Sequence, residues 1–375
     1  MSALPRPTPA ATARLKTGGD CLRFANKLFK AGGVAHGQGF VNAEEESLTL
    51  LGHATGLAWE ALPTSFGRAL TAKEKAAFLG LVERRVFDRI PTGYLVGEAW
   101  LGGLRFRVDE RVIIPRSYFV ELIPEAIPQW LPPAAQVTDV ADICTGSGCL
   151  AILLAKRFPK ARVQATDLSA AALEVAALNV ADHRLAKRVT LHETDTMTAL
   201  LAGPKFDLIL SNPPYEPEGI YRRLPAEFKK EPKGSLVSGP DGLDVIRKLL
   251  AQARATLKPH GILVIEVGGL QAAMHRAWPT LPMLWLATAD GSDCVCLLHA
   301  ADLRRASGSA WRRASSSASP CASRPVGPET TSRYPPSSWR RQSCGSAGSS
   351  GLLHRRLEAP RPRWPAPAPT CDPDG

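Results

Sequence analysis

The sequence predicts an α/β protein built on a doubly wound sheet of seven strands, with a small helical domain and a β-hairpin ahead of it. Three observations carry this expectation. From about residue 137 to residue 300, short apolar runs alternate with helical patterns. A glycine-rich turn follows the first of those runs. From Asp20 to about Arg89, the segments carry apolar residues at three- and four-residue spacing.

The opening MSALPRPTPAATARLKTGG (1–19) has no acidic residue and no hydrophobic core, and its prolines spoil an amphipathic helix. It is expected to be a disordered leader, with an organelle transit peptide as the alternative. Residues 20–93 read as helices in CLRFANKLFKAGG, NAEEESLTLLGHATGL and TAKEKAAFLGLVERRVFDRI, the last with a capping box from Thr71 and Glu74. Their charged residues read as solvated faces, and His36 and His53 as surface or turn histidines. Residues 94–116 change to a period of two. Leu104, Phe106 and Val108 share one face, a turn is expected near Asp109 and Glu110, and Val112 to Ile114 would return before Pro115.

In residues 117–303 the strands are expected at VTDVADI (137–143), ARVQATD (161–167), VTLHETD (189–195), FDLILSN (206–212) and GILVIEVG (261–268), with MLWLATA and CVCLLHA as a terminal antiparallel pair. Helices fill the gaps: CLAILLAKRF, SAAALEVAALNVADH capped by Ser169, and LDVIRKLLAQARATLK. Alternation of this kind makes a parallel sheet covered on both faces, whose ligand crevice lies at the strands' carboxyl ends.

Two turns carry chemistry. The first is Asp142, Ile143, Cys144, Thr145, Gly146, Ser147 and Gly148, a tight glycine turn between strand one and its helix, where backbone approaches a ligand closely. Gly146 to Ala151 fits G-x-G-x-x-A, and Asp167 follows at the distance of a ribose-binding acid. Asp195, at the tip of strand three, suits an adenine amine. This points to an adenosine-bearing ligand and leaves nicotinamide dinucleotide and S-adenosylmethionine both open.

The second is LILSNPPY (208–215), an apolar strand that runs into Asn212, Pro213, Pro214 and Tyr215. The prolines end the strand, so the turn stands over the crevice. An amide or aromatic-amine nitrogen is a poor nucleophile because its lone pair is delocalised. The side-chain oxygen of Asn212 and the carbonyl of Pro213 can each accept one N–H of a planar NH2 group, stabilising the positive charge that grows on nitrogen. Tyr215 can lie against the group's flat face. An ordinary Asn-Pro turn is the bland alternative.

Charge and cysteine usage bound the class. Of a net charge of +11, residues 301–375 contribute +7, through twelve Arg against five acidic residues, so the remainder is only mildly basic. Eight cysteines without a C-x-x-C pair fit a reduced compartment, the cytoplasm, and no structural zinc. Cys294 and Cys296 form a C-x-C on a predicted strand, a weak metal signal. No metal and no membrane association are expected, since no apolar run approaches the roughly 20 residues that span a bilayer. The segment 304–375 has eleven Pro and fourteen Ser from residue 301 onward and no Lys, Ile, Phe or Met. It reads as a disordered tail, with an out-of-frame extension and an RNA-binding basic tail as its two readings.

DICTGSGC, ATDLS, LSNPPY, LPAEFKKEPKGSLVSGPDGLD (224–244) and IEVG together resemble the protein-(glutamine-N5) methyltransferases. CTGSGC (144–149), RIPTGYLVGEAWLGGLRFRVDERVIIPRS (89–117) and RFANKLFKAGGVAHG (23–37) are similar to the branch that modifies ribosomal protein uL3, the third protein of the large subunit. The resemblance covers about residues 20–303. It implies a class I, Rossmann-like S-adenosylmethionine methyltransferase domain at 117–303 and a substrate-recognition role for 20–93. It further implies cofactor contacts from Asp142, Cys144 to Gly148, Asp167, Asp195 and Asn212, and glutamine contacts from Asn212 to Tyr215. Glu231 and Pro232 would belong to a loop closing over the site. The implied partners are uL3 and ribosome assembly intermediates, with direct nucleic-acid binding open. A release-factor glutamine methyltransferase and an adenine-N6 methyltransferase remain the alternatives. The chain departs from the family pattern at Tyr118, Thr196 and Cys296.

Overall fold

The computed structural model describes residues 4–306. The segment expected as a leader is ordered from Leu4: helix α1 (Pro9–Ala13) starts on Thr8, whose hydroxyl accepts from Ala11 N. Pro9 occupies the first helical turn, where a missing N–H costs nothing, so it permits this helix of 5 residues, which buries none of them and is not the amphipathic helix that the prolines were expected to spoil. Leu4 and Leu15 pack on the helical core, and the Arg6 guanidinium lies 5.0 Å from the centre of the Phe87 ring.

Helices α2 (Gly18–Ala31), α3 (Ala43–Thr55) and α4 (Ala72–Phe87), with the short α5 (Thr92–Val96), bury Cys21, Ala25, Phe29, Leu50, Leu51, Phe78 and Val82 in one cluster. Thr71 and Glu74 form the expected capping box, and Thr17 with Asp20 forms a second one at the start of α2. Two charged residues expected in solvent are buried instead. Arg85 donates to Glu46 from Nε at 2.6 Å and from Nη2 at 3.0 Å, and His36 Nδ1 lies 2.9 Å from Glu46.

The hairpin forms from β1 (Glu98–Leu101) and β2 (Leu104–Arg107), so its turn is Gly102–Gly103 and not Asp109–Glu110. Both glycines have positive φ, 58° and 73°, which a two-residue hairpin turn demands and Asp109–Glu110 would have to adopt under strain. Val112 to Ile114 is consequently irregular chain.

After α6 (Phe119–Leu122) come β3 (Asp139–Ile143), α7 (Cys149–Arg157), β4 (Arg162–Asp167), α8 (Ala170–Asp182), β5 (Val189–Glu193) and β6 (Phe206–Ser211). Next are α9 (Glu218–Tyr221), α10 (Asp244–Thr256), β7 (Leu257–Glu266), α11 (Gln271–Ala277), β8 (Leu284–Trp285), β9 (Val295–His299) and α12 (Ala300–Arg305). The seven strands lie in the order β5-β4-β3-β6-β7-β9-β8, with β3 to β7 parallel and β9 antiparallel to both of its neighbours. Alternation along each strand divides the core in two: Val140, Leu208, Leu210 and Val264 face one cluster, Ala141, Ile143, Ile209 and Ile265 the other. Cys294 and Cys296 fall in opposite clusters, so they do not converge on a metal. The expected tail lies outside the described residues from 307 onward; its first residues complete α12, where Arg304 donates to Leu257 O at 2.7 Å. Among the described residues no helix is long and apolar enough to cross a membrane.

Candidate active site

The strand order reverses at β3, which has β4 on one side and β6 on the other, so a crevice must open between the carboxyl ends of β3 and β6. Both predicted turns leave from those ends. They are tied together where Ile143 pairs with Ser211 and the Ser211 hydroxyl donates to Ile143 O at 2.6 Å.

On the β3 side, side chains build the turn. Asp142 Oδ2 accepts from the Thr145 hydroxyl at 2.5 Å and from Ala151 N at 2.9 Å, and Ser147 O accepts from Asn179 Nδ2 at 2.8 Å. Asp142, Thr145 and Ser147 are all buried, so these positions offer a ligand chiefly backbone. Burial pushes the Asp142 carboxyl up to about 7. Burial also raises the Cys144 thiol, reinforced by Asp167 and Asp142 nearby, which favours the protonated form over the thiolate. Gly148 has φ +78°, and a Cβ there would stand 3.2 Å from the Ala176 Cβ; only glycine brings α7 this close to α8.

Asp167 ends β4 and joins two loops, accepting from Gly146 N at 2.8 Å through Oδ2 and from Ser169 N at 2.9 Å through Oδ1. A carboxylate has about four acceptor sites, so it retains capacity for hydroxyls of a ribose. Leu168 beside it is 72% exposed, an apolar surface that sequence reasoning did not single out. Asp195 follows β5 and pairs with Lys248 Nζ at 2.5 Å. Next to it Thr196 is buried with φ +52° and donates to Gln252 Oε1 at 2.6 Å, which holds the backbone where a bulky apolar residue was expected.

On the β6 side, Asn212 Nδ2 donates to Arg116 O at 3.4 Å. That contact uses the amide's NH2 and leaves Oδ1 as its acceptor. Pro213 is buried, and the Tyr215 ring lies so close to Gly268 (φ +51°) that a Cβ there would stand 2.7 Å from the ring. Burial raises the Tyr215 phenol, so it stays neutral. Glu231 accepts from Arg116 Nη1 and Nη2 at 2.6 and 2.7 Å and from Ile114 N at 3.0 Å. Glu266 ends β7, accepts from the Ser117 hydroxyl at 2.5 Å and from Tyr118 N at 3.1 Å, and is pushed by burial up to about 7. Arg116 and Glu266 were missed as individual residues. Glu266 carried a signal, an acid closing the apolar run GILVI; Arg116 had none beyond lying next to Pro115.

Residues 125–239 match the family model described as the methyltransferase small domain. The ribosomal protein uL3 glutamine methyltransferase of Bordetella pertussis is 43% identical over 284 residues, 76% of this chain and 95% of the relative. Those of Burkholderia pseudomallei and Neisseria meningitidis serogroup B are 39% and 41% identical, covering 80% and 77% of this chain and 99% and 94% of theirs. With its seven-stranded Rossmann-like class I methyltransferase fold, the chain belongs to the family of the ribosomal protein uL3 glutamine methyltransferases.

Proposed function

We infer that the protein transfers the methyl group of S-adenosylmethionine to the side-chain amide nitrogen of a glutamine in ribosomal protein uL3. The observation that carries this reading is the pairing of the two turns on adjacent strands. A backbone-lined glycine turn stands at the end of β3 with Asp167 bonded to it from the end of β4, and an Asn-Pro-Pro-Tyr turn with its Asn oxygen available stands at the end of β6. Gly146, Ser147 and Gly148 would hold the donor through backbone, Asp167 its ribose, and Asp195 its adenine, with Leu168 against the base. When bound, the donor supplies an electrophilic methyl group on a cationic sulfur.

Asn212 Oδ1 and Pro213 O hold the two N–H groups of the glutamine amide, fix its plane and share the positive charge that develops on nitrogen. Neither Pro213 nor Pro214 has an N–H to compete for those acceptors. Tyr215, neutral and packed on Gly268, closes one face of the amide. The cytoplasm, where thiols stay reduced, suits the five free cysteines among the described residues.

The test is methyl transfer from a radiolabelled donor to separated large-subunit proteins, using free uL3 and assembling large-subunit particles in parallel. Label recovered as N5-methylglutamine in uL3 is expected, and S-adenosylmethionine should raise the melting temperature where NAD does not. Label in a release factor or in RNA, with uL3 unlabelled, would overturn the acceptor assignment. Stabilisation by NAD alone would overturn the donor.

A further inference from the structure

We propose that Arg116 and Glu231, anchored through Glu227 to Arg85 and Arg89 of the helical domain, are positioning residues that set the side-chain amide of Asn212. The proposal rests on the acceptor reading above, because it concerns which atom Asn212 presents to the amide.

An Asn side chain can turn its oxygen or its NH2 toward a substrate, and only the oxygen accepts from another NH2. Here the choice is made by the carbonyl of Arg116, which accepts from Asn212 Nδ2. That carbonyl lies in irregular chain after the hairpin, with no strand partner to hold it. Side chains hold it instead. Glu231, its carboxylate fully buried, accepts Ile114 N and both terminal nitrogens of Arg116, and Arg116 Nη1 donates back to Ile114 O at 3.1 Å. One carboxylate therefore fixes this segment at its backbone and at its side chain.

The loop bearing Glu231 is fixed in turn by the helical domain. The Glu227 carboxylate accepts from Arg89 Nη1 at 3.0 Å, Ala35 N at 3.2 Å and Arg85 Nη1 at 3.5 Å. Between the two anchors the Phe228 ring lies 5.5 Å from the Arg116 guanidinium. Arg85 and Glu227 are themselves almost fully buried. Buried ion pairs are poor stabilisers compared with apolar packing of the same volume, whereas bidentate Arg-carboxylate pairs fix geometry. A run of buried ion pairs that is bidentate at Arg85–Glu46 and at Arg116–Glu231, and ends beside the acceptor turn, is accounted for by geometry.

The test uses the full chain with Glu231→Gln, the milder Arg116→Lys, and Glu227→Gln. Two readouts are taken: the side-chain NH2 resonance of Asn212 in Asn-labelled protein, assigned by its loss in Asn212→Ala, and kcat with the donor saturating. For Glu231→Gln the resonance should shift and exchange faster with solvent, and kcat should fall roughly ten- to a hundredfold. Donor affinity should stay within about twofold, because the glycine turn, Asp167 and Asp195 would supply most of the donor contacts and Asn212 only one. Arg116→Lys, which keeps the charge but not the fork, should show the same pattern at smaller size, and Glu227→Gln smaller still. An unmoved resonance with wild-type kcat, even alongside a lower melting temperature, would make the network merely structural and overturn the proposal. A shifted resonance in an enzyme that methylates no glutamine at all would uphold the positioning and instead sink the acceptor reading.

Discussion

The two halves of the crevice are built in different ways. The proposed donor half is compact: Asp142 to Gly148, Asp167 and Ser169 lie in or just after one strand-helix-strand unit and bond to one another directly, with Asn179 of the next helix on Ser147 O. The acceptor half is assembled from remote pieces, with Asn212 leaning on Arg116, Arg116 on Glu231, and Tyr215 on Gly268. A site for a shared small cofactor can be made once and kept in one motif. A site that must meet a particular protein draws on segments far apart in the chain.

The largest effect that separates the halves is expected at Asn212. Asn212→Ala removes an acceptor at the reacting centre and should lower kcat by on the order of a hundredfold, about 3 kcal/mol, with donor affinity unchanged by calorimetric titration. Because the Asn NH2 is engaged by Arg116 O, Asn212→Asp loses that bond while keeping the acceptor oxygen. It should fall between Ala and wild type; near wild-type turnover in both variants would leave the turn as scaffold.

A matched pair of glycine substitutions follows in size. Gly268→Ala forces a side chain against the Tyr215 ring at φ +51°, and Gly148→Ala forces one against Ala176 at φ +78°. Each should lose about 1–2 kcal/mol of stability. Gly268→Ala should raise KM for the protein acceptor roughly tenfold at constant donor Kd, and Gly148→Ala should do the reverse. Equal effects of both on donor Kd would mean that the halves are not separable.

Much of this was legible because it is periodic or local. Asp142 to Gly148, Asp167 and the NPPY turn follow from strand runs that end in turn residues, and the sheet order then brings them together. The ionic network was not legible, since Glu46, Arg85 and Glu227 look like any solvated charge until the helices pack. A trace existed: Arg85 shares a face with Phe78 and Val82 at helical spacing, all three buried. The hairpin turn was misplaced because Asp109–Glu110 lies between two period-two runs, while Gly102–Gly103, the pair able to take positive φ, lies inside the first.

The smallest effect compares two buried carboxylates, Asp142 on the donor side and Glu266 on the acceptor side, both pushed up to about 7. In the unfolded chain they ionise near their ordinary values of about 4. Between those limits the folded state binds more protons, so their contribution to stability is full at the acid end and is lost as pH rises toward 7. Melting temperatures of Asp142→Asn and Glu266→Gln, relative to wild type, should therefore rise between about pH 5 and about pH 8. A constant difference for either variant would show that its carboxyl does not titrate in that window.

Glu227 belongs by chain to the catalytic domain and by bonding to the helical one. The two are then not interchangeable modules. A helical domain grafted from an enzyme with another substrate, without counterparts of Arg85 and Arg89, would leave Glu227 buried and unpaired, a defect worth about 3–5 kcal/mol. An exchange of the helical domain meant to change the substrate therefore has to carry Arg85, Arg89 and Glu227 together.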